Sequence, residues 1–231
     1  MAKKTWHLAK FKTKALIAAA AVGVGGFLGL SFGGNKPINV PAYRAELVVD
    51  GDTFMTEEKQ YIRDNTYDAP ELDRCGGQEA KKELEKLILG KDIYLKVTYH
   101  GSTSRLMSVV YTKDGLVATK MLESGWAELN DRSNLDLPEL KAARDKAQAE
   151  KRGLFSEMCT QMTNPKNPAC LIKANYGRNE VMNYYFPGCN NYNITFVQLH
   201  HGDQWFCSEA EARKAGFAKA ENCPEAYRVK P

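Results

Sequence analysis

Hydrophobic positions along the chain repeat with two periods. In RAELVVDGDTF (44–54) and KQYIRDNTYD (59–68), apolar and β-branched residues run between turn residues, the pattern of strands. GGQEAKKELEKLILGK (76–91) changes to helical spacing: Ala80, Leu84, Leu87 and Ile88 share a face, and Gly90 stands where a helix closes. DIYLKVTYH (92–100) and SRLMSVVYT (104–112) return to alternation around a Gly/Ser turn. LVATKMLESGW (116–126) reads as a short helix ended by Gly125, and LPELKAARDKAQAEKRGLF (137–155) as an amphipathic helix closed by Gly153.

About five strands with helices inserted and appended predict a curled sheet over residues 40–158, a β-barrel with helices of the OB-fold type. The texture changes near Pro165. NPKNPAC (164–170) is a proline-rich linker, and residues 168–231 carry short strands, turns at Pro187-Gly188 and Gly202-Asp203, and a last helix entered at Ser208. Glu211 lies at the capping-box distance from Ser208. The expectation is a separate small α+β module of about 60 residues, a size at which a hydrophobic core alone is marginal. His200 and His201 are neighbours, so on a strand their side chains would point to opposite faces. They are expected to be exposed residues beside a turn.

The beginning of the chain is different again. Residues 1–14 carry five lysines and no acid, and ALIAAAAVGVGGFLGLSFGGN (15–35) carries no charge. Its length approaches the roughly 20 residues that cross a bilayer as a helix. Residues 15–34 are therefore expected to be a transmembrane helix or signal, with residues 1–14 as a basic cytoplasmic tail and the rest extracytoplasmic. The alternative is secretion after signal cleavage, since the run ends in small residues. Gly25, Gly29 and Gly33 recur at every fourth position and offer a partner helix a close approach. The five lysines also account for the net charge of +4, leaving the remainder slightly acidic, so bulk charge gives no argument for polyanion binding. With 43% hydrophobic and 26% charged residues the chain is globular, not disordered.

Six cysteines, Cys75, Cys159, Cys170, Cys189, Cys207 and Cys223, form an even set in a domain expected outside the cytoplasm, which suggests disulfides. No C-x-x-C is present, so the strongest zinc pattern is missing. Sequence leaves the connectivity open. The four C-terminal cysteines are expected to pair within their own module.

The turn VVDGDTF (48–54) places Asp50 and Asp52 around one glycine and raises the question of what two acids do there. Together with IRDNTYDAPE (62–71), SRL (104–106) and the scaffold phrases GGQEA, LILGK and AQAEKRGLF, it resembles the thermonuclease family of staphylococcal-nuclease-like proteins. The resemblance covers Glu46 to Ser156. It implies that Asp52 and Asp68 ligate calcium (Ca2+), with the Ala69 carbonyl helping and Asp50 nearby. It implies that Glu71 orients or deprotonates the attacking water, and that Arg63 and Arg105 bind the scissile phosphate. The residue types suit that chemistry. Calcium takes oxygen ligands, guanidinium forks match phosphate oxygens, and a carboxylate can accept a proton from water. In this frame Cys75 and Cys159, if paired, would lock the end of the last nuclease helix to the active-site loop. Asp52, near a strand end, is expected to contribute little to packing.

Two departures from the family bear on substrate. STS (102–104) replaces a lysine, tyrosine and glycine, and WAELNDRSN (126–134) stands where tyrosines stack on a base. The C-terminal module resembles small cysteine-containing modules appended to secreted bacterial nucleases, through IKAN, YFPGCNNY, WFC and EAEARKAGF. The reading is a membrane-anchored, extracytoplasmic, calcium-dependent nuclease hydrolysing phosphodiester bonds of DNA or RNA. The alternative is a catalytically inactive fold serving as a structural or binding subunit of a membrane complex.

Overall fold

The computed structural model describes residues 42–100, 105–130, 137–177 and 181–225. The basic tail, the apolar run 15–34 and its glycines lie outside these residues. Among the described residues no helix is long and apolar enough to cross a membrane.

The first half contains β1 (Ala45–Val48), β2 (Thr53–Thr56), β3 (Tyr61–Asp64), β4 (Tyr67–Asp68), α1 (Gly77–Ile88), β5 (Tyr94–His100), β6 (Leu106–Thr112), β7 (Gly115–Leu116), α2 (Val117–Ser124), β8 (Glu128–Leu129) and α3 (Pro138–Ala149). The main sheet runs β1-β2-β3-β6-β5, with β7 on β6. All neighbours are antiparallel except β3 and β6, whose parallel pairing is reached by the long crossover through α1 and β5. The two edges then meet. Tyr43, just before β1, exchanges hydrogen bonds of 2.8 and 2.9 Å with Ile93, just before β5, and the Arg44–Asp92 ion pair at 2.9 Å lies beside them. The sheet thus curls into a small barrel.

The barrel is filled by Val48, Phe54, Ile62, Ile93, Leu95 and Val110 and covered by the apolar stripe of α1, where Ala80, Leu84 and Ile88 are buried one turn apart. Leu87 packs at the margin. Gly125 closes α2 with a left-handed φ of 79°, as its position predicts. The long helix departs from expectation. It ends at Ala149 rather than at Gly153, and Lys151 takes a φ of 50°. Gly153 serves a different purpose: a Cβ there would lie 2.4 Å from the Gly125 carbonyl oxygen, so the two glycines allow their backbones to touch.

The second half contains β9 (Thr160–Gln161), β10 (Ile172–Tyr176), β11 (Met182–Tyr185), β12 (Val197–Gln198), β13 (Gln204–Phe206), α4 (Glu209–Lys214) and β14 (Ala218–Lys219). A sheet in the order β13-β10-β11-β14 packs α4 over its own core of Ile172, Ala174, Tyr184, Phe186, Ala212 and Phe217. β9 pairs with β12. Ser208 caps α4 by accepting from the Glu211 N–H at 3.2 Å, but the Glu211 carboxylate reaches the Cys207 N–H at 2.9 Å instead of completing a box. On the opposite face of β10, Lys173 is buried. Its ammonium donates to the carbonyls of Tyr192 and Thr195 at 3.0 and 2.7 Å, beside the Tyr192 and Trp205 rings.

Disulfides join Cys170 to Cys207 and Cys189 to Cys223 within this part, and Cys75 to Cys159 between the segment before α1 and the segment after α3. Further ties run from this part to the barrel. Arg74 donates to the His201 carbonyl at 2.9 Å, and Glu128 on β8 receives the His201 ring at 2.6 Å. This corrects the expectation for the histidine pair. Both lie on a 3-10 turn (Leu199–His201), not a strand; His200 is buried, and both rings face Glu128. Burial opposes ionisation of Glu128, but the two imidazoles facing it, with His201 hydrogen-bonded at 2.6 Å, outweigh it and hold the carboxyl at about 2.

Peptide mapping without reduction is expected to return these three pairs. Cys75→Ser combined with Cys159→Ser should lower unfolding stability by about 2–5 kcal/mol in a urea titration.

Candidate functional site

The site begins at a turn that must be tight. After β1, Val49 and Asp50 both donate to the Thr53 carbonyl, at 2.9 and 3.3 Å. Asp50 Oδ1 accepts from the Asp52 and Thr53 N–H groups at 3.1 and 2.8 Å. One oxygen of this first acid therefore holds the turn. Gly51 lets the turn sink against the barrel cap: a Cβ there would sit 2.5 Å from the Cβ atoms of both Ala69 and Ala80. The buried Tyr67 hydroxyl donates to the Gly51 carbonyl at 3.1 Å and fixes it from below.

Asp52 is consequently carried inside, with only 2% of its surface exposed. Its Oδ1 accepts from the Thr53 hydroxyl at 2.9 Å and from the Arg63 guanidinium, and its Oδ2 from the Ala69 N–H at 3.1 Å. The expectation that this carboxylate matters little to packing is corrected: it is buried and bonded to three other residues. Burial pushes its carboxyl up to about 7, more than Arg63 pulls it down. A buried acid of this kind demands positive charge.

Alternation along β3 places Ile62 and Asp64 inside the barrel and Tyr61 and Arg63 on the outer face. Pairing sets Arg63 beside Thr53 on β2 and Met107 on β6. Its second nitrogen donates to Asp68 Oδ1 at 2.8 Å, so one guanidinium bridges Asp52 and Asp68. Arg105, two residues before Met107, extends the same face of that strand, and it forms no ion pair among the described residues. Asp68 is half exposed and stands opposite Glu128 in the short β4–β8 ladder.

Glu71 is exposed, and its carboxylate has no hydrogen bond or ion pair among the described residues. Its backbone is well placed. The Glu71 carbonyl accepts from Arg74 N–H at 2.9 Å, and a Cβ on Gly77 would fall 2.0 Å from that carbonyl oxygen. Only glycine lets α1 start against it.

The structure thus gathers Asp52, Arg63, Asp68 and the Ala69 N–H into one contact set and uses Asp50 in the turn, while Glu71 and Arg105 make no ion pair with this set among the described residues. The acids fit a hard cation: two carboxylates from separate segments converge on one positive group, and among the described residues that guanidinium is the ion-pair partner of the buried one. Glu128 and the two histidines went unassigned in the sequence because the residues are 73 apart and lack a metal-binding spacing.

Residues 62–157 match the family described as Staphylococcal nuclease homologue. An uncharacterized endonuclease of Escherichia coli O157:H7 is 29% identical over 118 residues, 49% of this chain and 76% of that protein. An uncharacterized 38.1 kDa protein of Capnoides sempervirens is 30% identical over 110 residues, 48% of this chain but only 31% of that protein. The family match begins after the Asp50–Asp52 turn, which the β2–β3 pairing brings to Arg63.

Inside the barrel, Asp64 gives this fold a measurable pH dependence. Burial raises its carboxyl from 3.8 to about 6, more than the Thr66 hydroxyl and N–H lower it. Between those values the folded chain keeps a proton that the unfolded chain has released, so stability falls as pH rises from about 4 to about 6. The difference between those two values corresponds to roughly 3 kcal/mol. Asp64→Asn retains an acceptor for Thr66 and should make that limb shallower in denaturant titrations taken across this range, leaving the slope that Asp52, raised to about 7, contributes.

Proposed function

We propose that this chain, whose residues 62–157 match the staphylococcal nuclease homologue family, is a calcium-dependent phosphodiesterase that cuts DNA or RNA. The observation that carries the reading is the convergence of Asp52 and Asp68 on Arg63, with Arg105 on the same face. Asp52, Asp68 and the Ala69 carbonyl would hold calcium, which supplies Lewis acidity beside the phosphate. The remaining chemistry rests on side chains. When a phosphodiester enters, Arg63 exchanges a carboxylate for phosphate oxygens, and Arg105 offers a second planar fork to the charge that grows on them. Glu71, exposed and unpaired among the described residues, accepts the proton of the attacking water. The relative called an endonuclease supports this class of reaction.

The residue types at residues 1–35 support a location. Five lysines followed by an uncharged run suit a single-pass anchor with the nuclease part outside the cytoplasm and the bilayer as a partner at residues 15–34.

A second reading has one observation in its favour. Arg63 already satisfies both aspartates, as it would in a structural ion bridge of an inactive binding subunit. Activity separates the two. Plasmid, single-stranded DNA and RNA are expected to be cleaved with calcium and spared after chelation. Glu71→Gln should slow cleavage by about 10²–10⁴-fold. Arg63→Lys and Arg105→Lys keep charge but lose the fork, and should each lower kcat by roughly 10²-fold or more. A folded chain that binds calcium yet cuts none of these substrates is the binding subunit instead.

Topology has its own test. Protease added to spheroplasts should remove everything after residue 35, and full protection would reverse the orientation.

A further inference from the structure

We propose that Glu128, His200 and His201 form a binding site for one divalent transition-metal ion of the zinc class. One carboxylate and two imidazoles present ligand atoms that all lie within 4.8 Å of one another. His201 Nε2 is 2.6 Å from Glu128 Oε2, and His200 Nε2 is 3.5 Å from Glu128 Oε1. Zinc bonds nitrogen and carboxylate oxygen at about 2.0–2.2 Å, so tetrahedral ligands stand about 3.4 Å apart. The two distances run to different oxygens of the Glu128 carboxylate, and an ion that took the place of the His201 hydrogen bond would open the shorter one to about 3.4 Å.

Local structure explains how two successive histidines reach one point. On a strand they would diverge, but the one-turn 3-10 helix keeps their ring centroids 4.3 Å apart. Gly202, at φ 91°, then ends the turn. A second observation also points to a ligand. His200 is only 3% exposed, and neither of its ring nitrogens has a hydrogen-bond partner. A buried imidazole facing a carboxylate at 3.5 Å, too far for a well-made hydrogen bond, has a nitrogen that an ion would satisfy.

The donor set selects the class of ion. Imidazole nitrogen suits zinc and its neighbours, whereas calcium takes oxygen. Three protein ligands leave a coordination position, and the partial exposure of Glu128 and His201 opens it to water. Around the site, Asp203 adds negative charge near His201 and Arg74 opposes it. The ion would clip the C-terminal part to β8, the strand directly across from Asp68.

The test uses the whole chain, stripped of metal and then held in excess calcium so that oxygen sites are filled. Zinc titrated against a competing chromogenic chelator should bind once per chain and raise Tm. Glu128→Gln keeps the side chain's size, and His201→Ala changes a partly exposed residue. Each should weaken zinc binding by at least about tenfold and abolish the Tm gain. Cobalt in place of zinc should give the visible absorption of a site containing imidazole in the parent chain and lose it in both variants. Should a folded parent chain take up no stoichiometric zinc, or should both folded variants bind it as tightly as the parent, the cluster is a hydrogen-bonded junction and no metal site.

Discussion

A carboxylate buried at the end of a strand has to be matched by donors and positive charge, and Asp52 imposes that demand on everything around it. Gly51 permits the burial because no side chain keeps the turn away from Ala69 and Ala80. The demand is met from three directions: the Thr53 hydroxyl on β2, the Ala69 N–H beyond β4, and Arg63 on β3. Each lies on a different segment, so one oxygen pair fixes the turn, the sheet and the loop at once. Losing one partner would leave the others facing an uncompensated charge, which is why such pairs cost much more to break than to replace together. The charges to which the proposed reading gives a cation and a phosphate are therefore also part of what holds the fold.

Much of this was legible in the sequence where the signal is local. The helix stripe of Ala80, Leu84 and Ile88, the closure at Gly125 and the cap at Ser208 depend on neighbours within a few residues, and the structure places them as expected. Gly153 was misread because a glycine after a periodic run is usually a helix stop. Here the helix had already ended at Ala149, and the missing side chain serves contact with Gly125, far away in the chain. Asp52 was misread for a related reason. An acid in a turn is ordinarily solvated, and nothing local says that a helix will pack over it.

The histidines show the same limit in another form. Their expected orientation followed from assuming a strand, and a single 3-10 turn reverses the conclusion by bringing adjacent rings to one side. The partner that gives them meaning, Glu128, belongs to a strand of two residues, too short to announce itself by alternation. Disulfides follow the same rule. The even count of cysteines suggested bridges, while the pairing of Cys75 with Cys159 depends on the path of the chain between them.

That two-residue strand has a further consequence for the site. β4 and β8 form a ladder of only two residue pairs, which by itself has little stability in water. Its position is set by what holds each side. On one side Asp68 is drawn to Arg63, and Arg63 to the buried Asp52. On the other, Glu128 is held by the His200–His201 turn, which is itself held by Arg74 through the His201 carbonyl. Arg74 adjoins Cys75, whose disulfide fixes that segment to Cys159. The C-terminal part is thus joined to the ladder that carries Asp68 by the His201–Glu128 contact, and to the segment before α1 by the Arg74 hydrogen bond and the Cys75–Cys159 bridge. Glu128 and Asp68 are direct cross-strand partners in that ladder, so the contacts that hold Glu128 also help to fix the strand on which Asp68 stands.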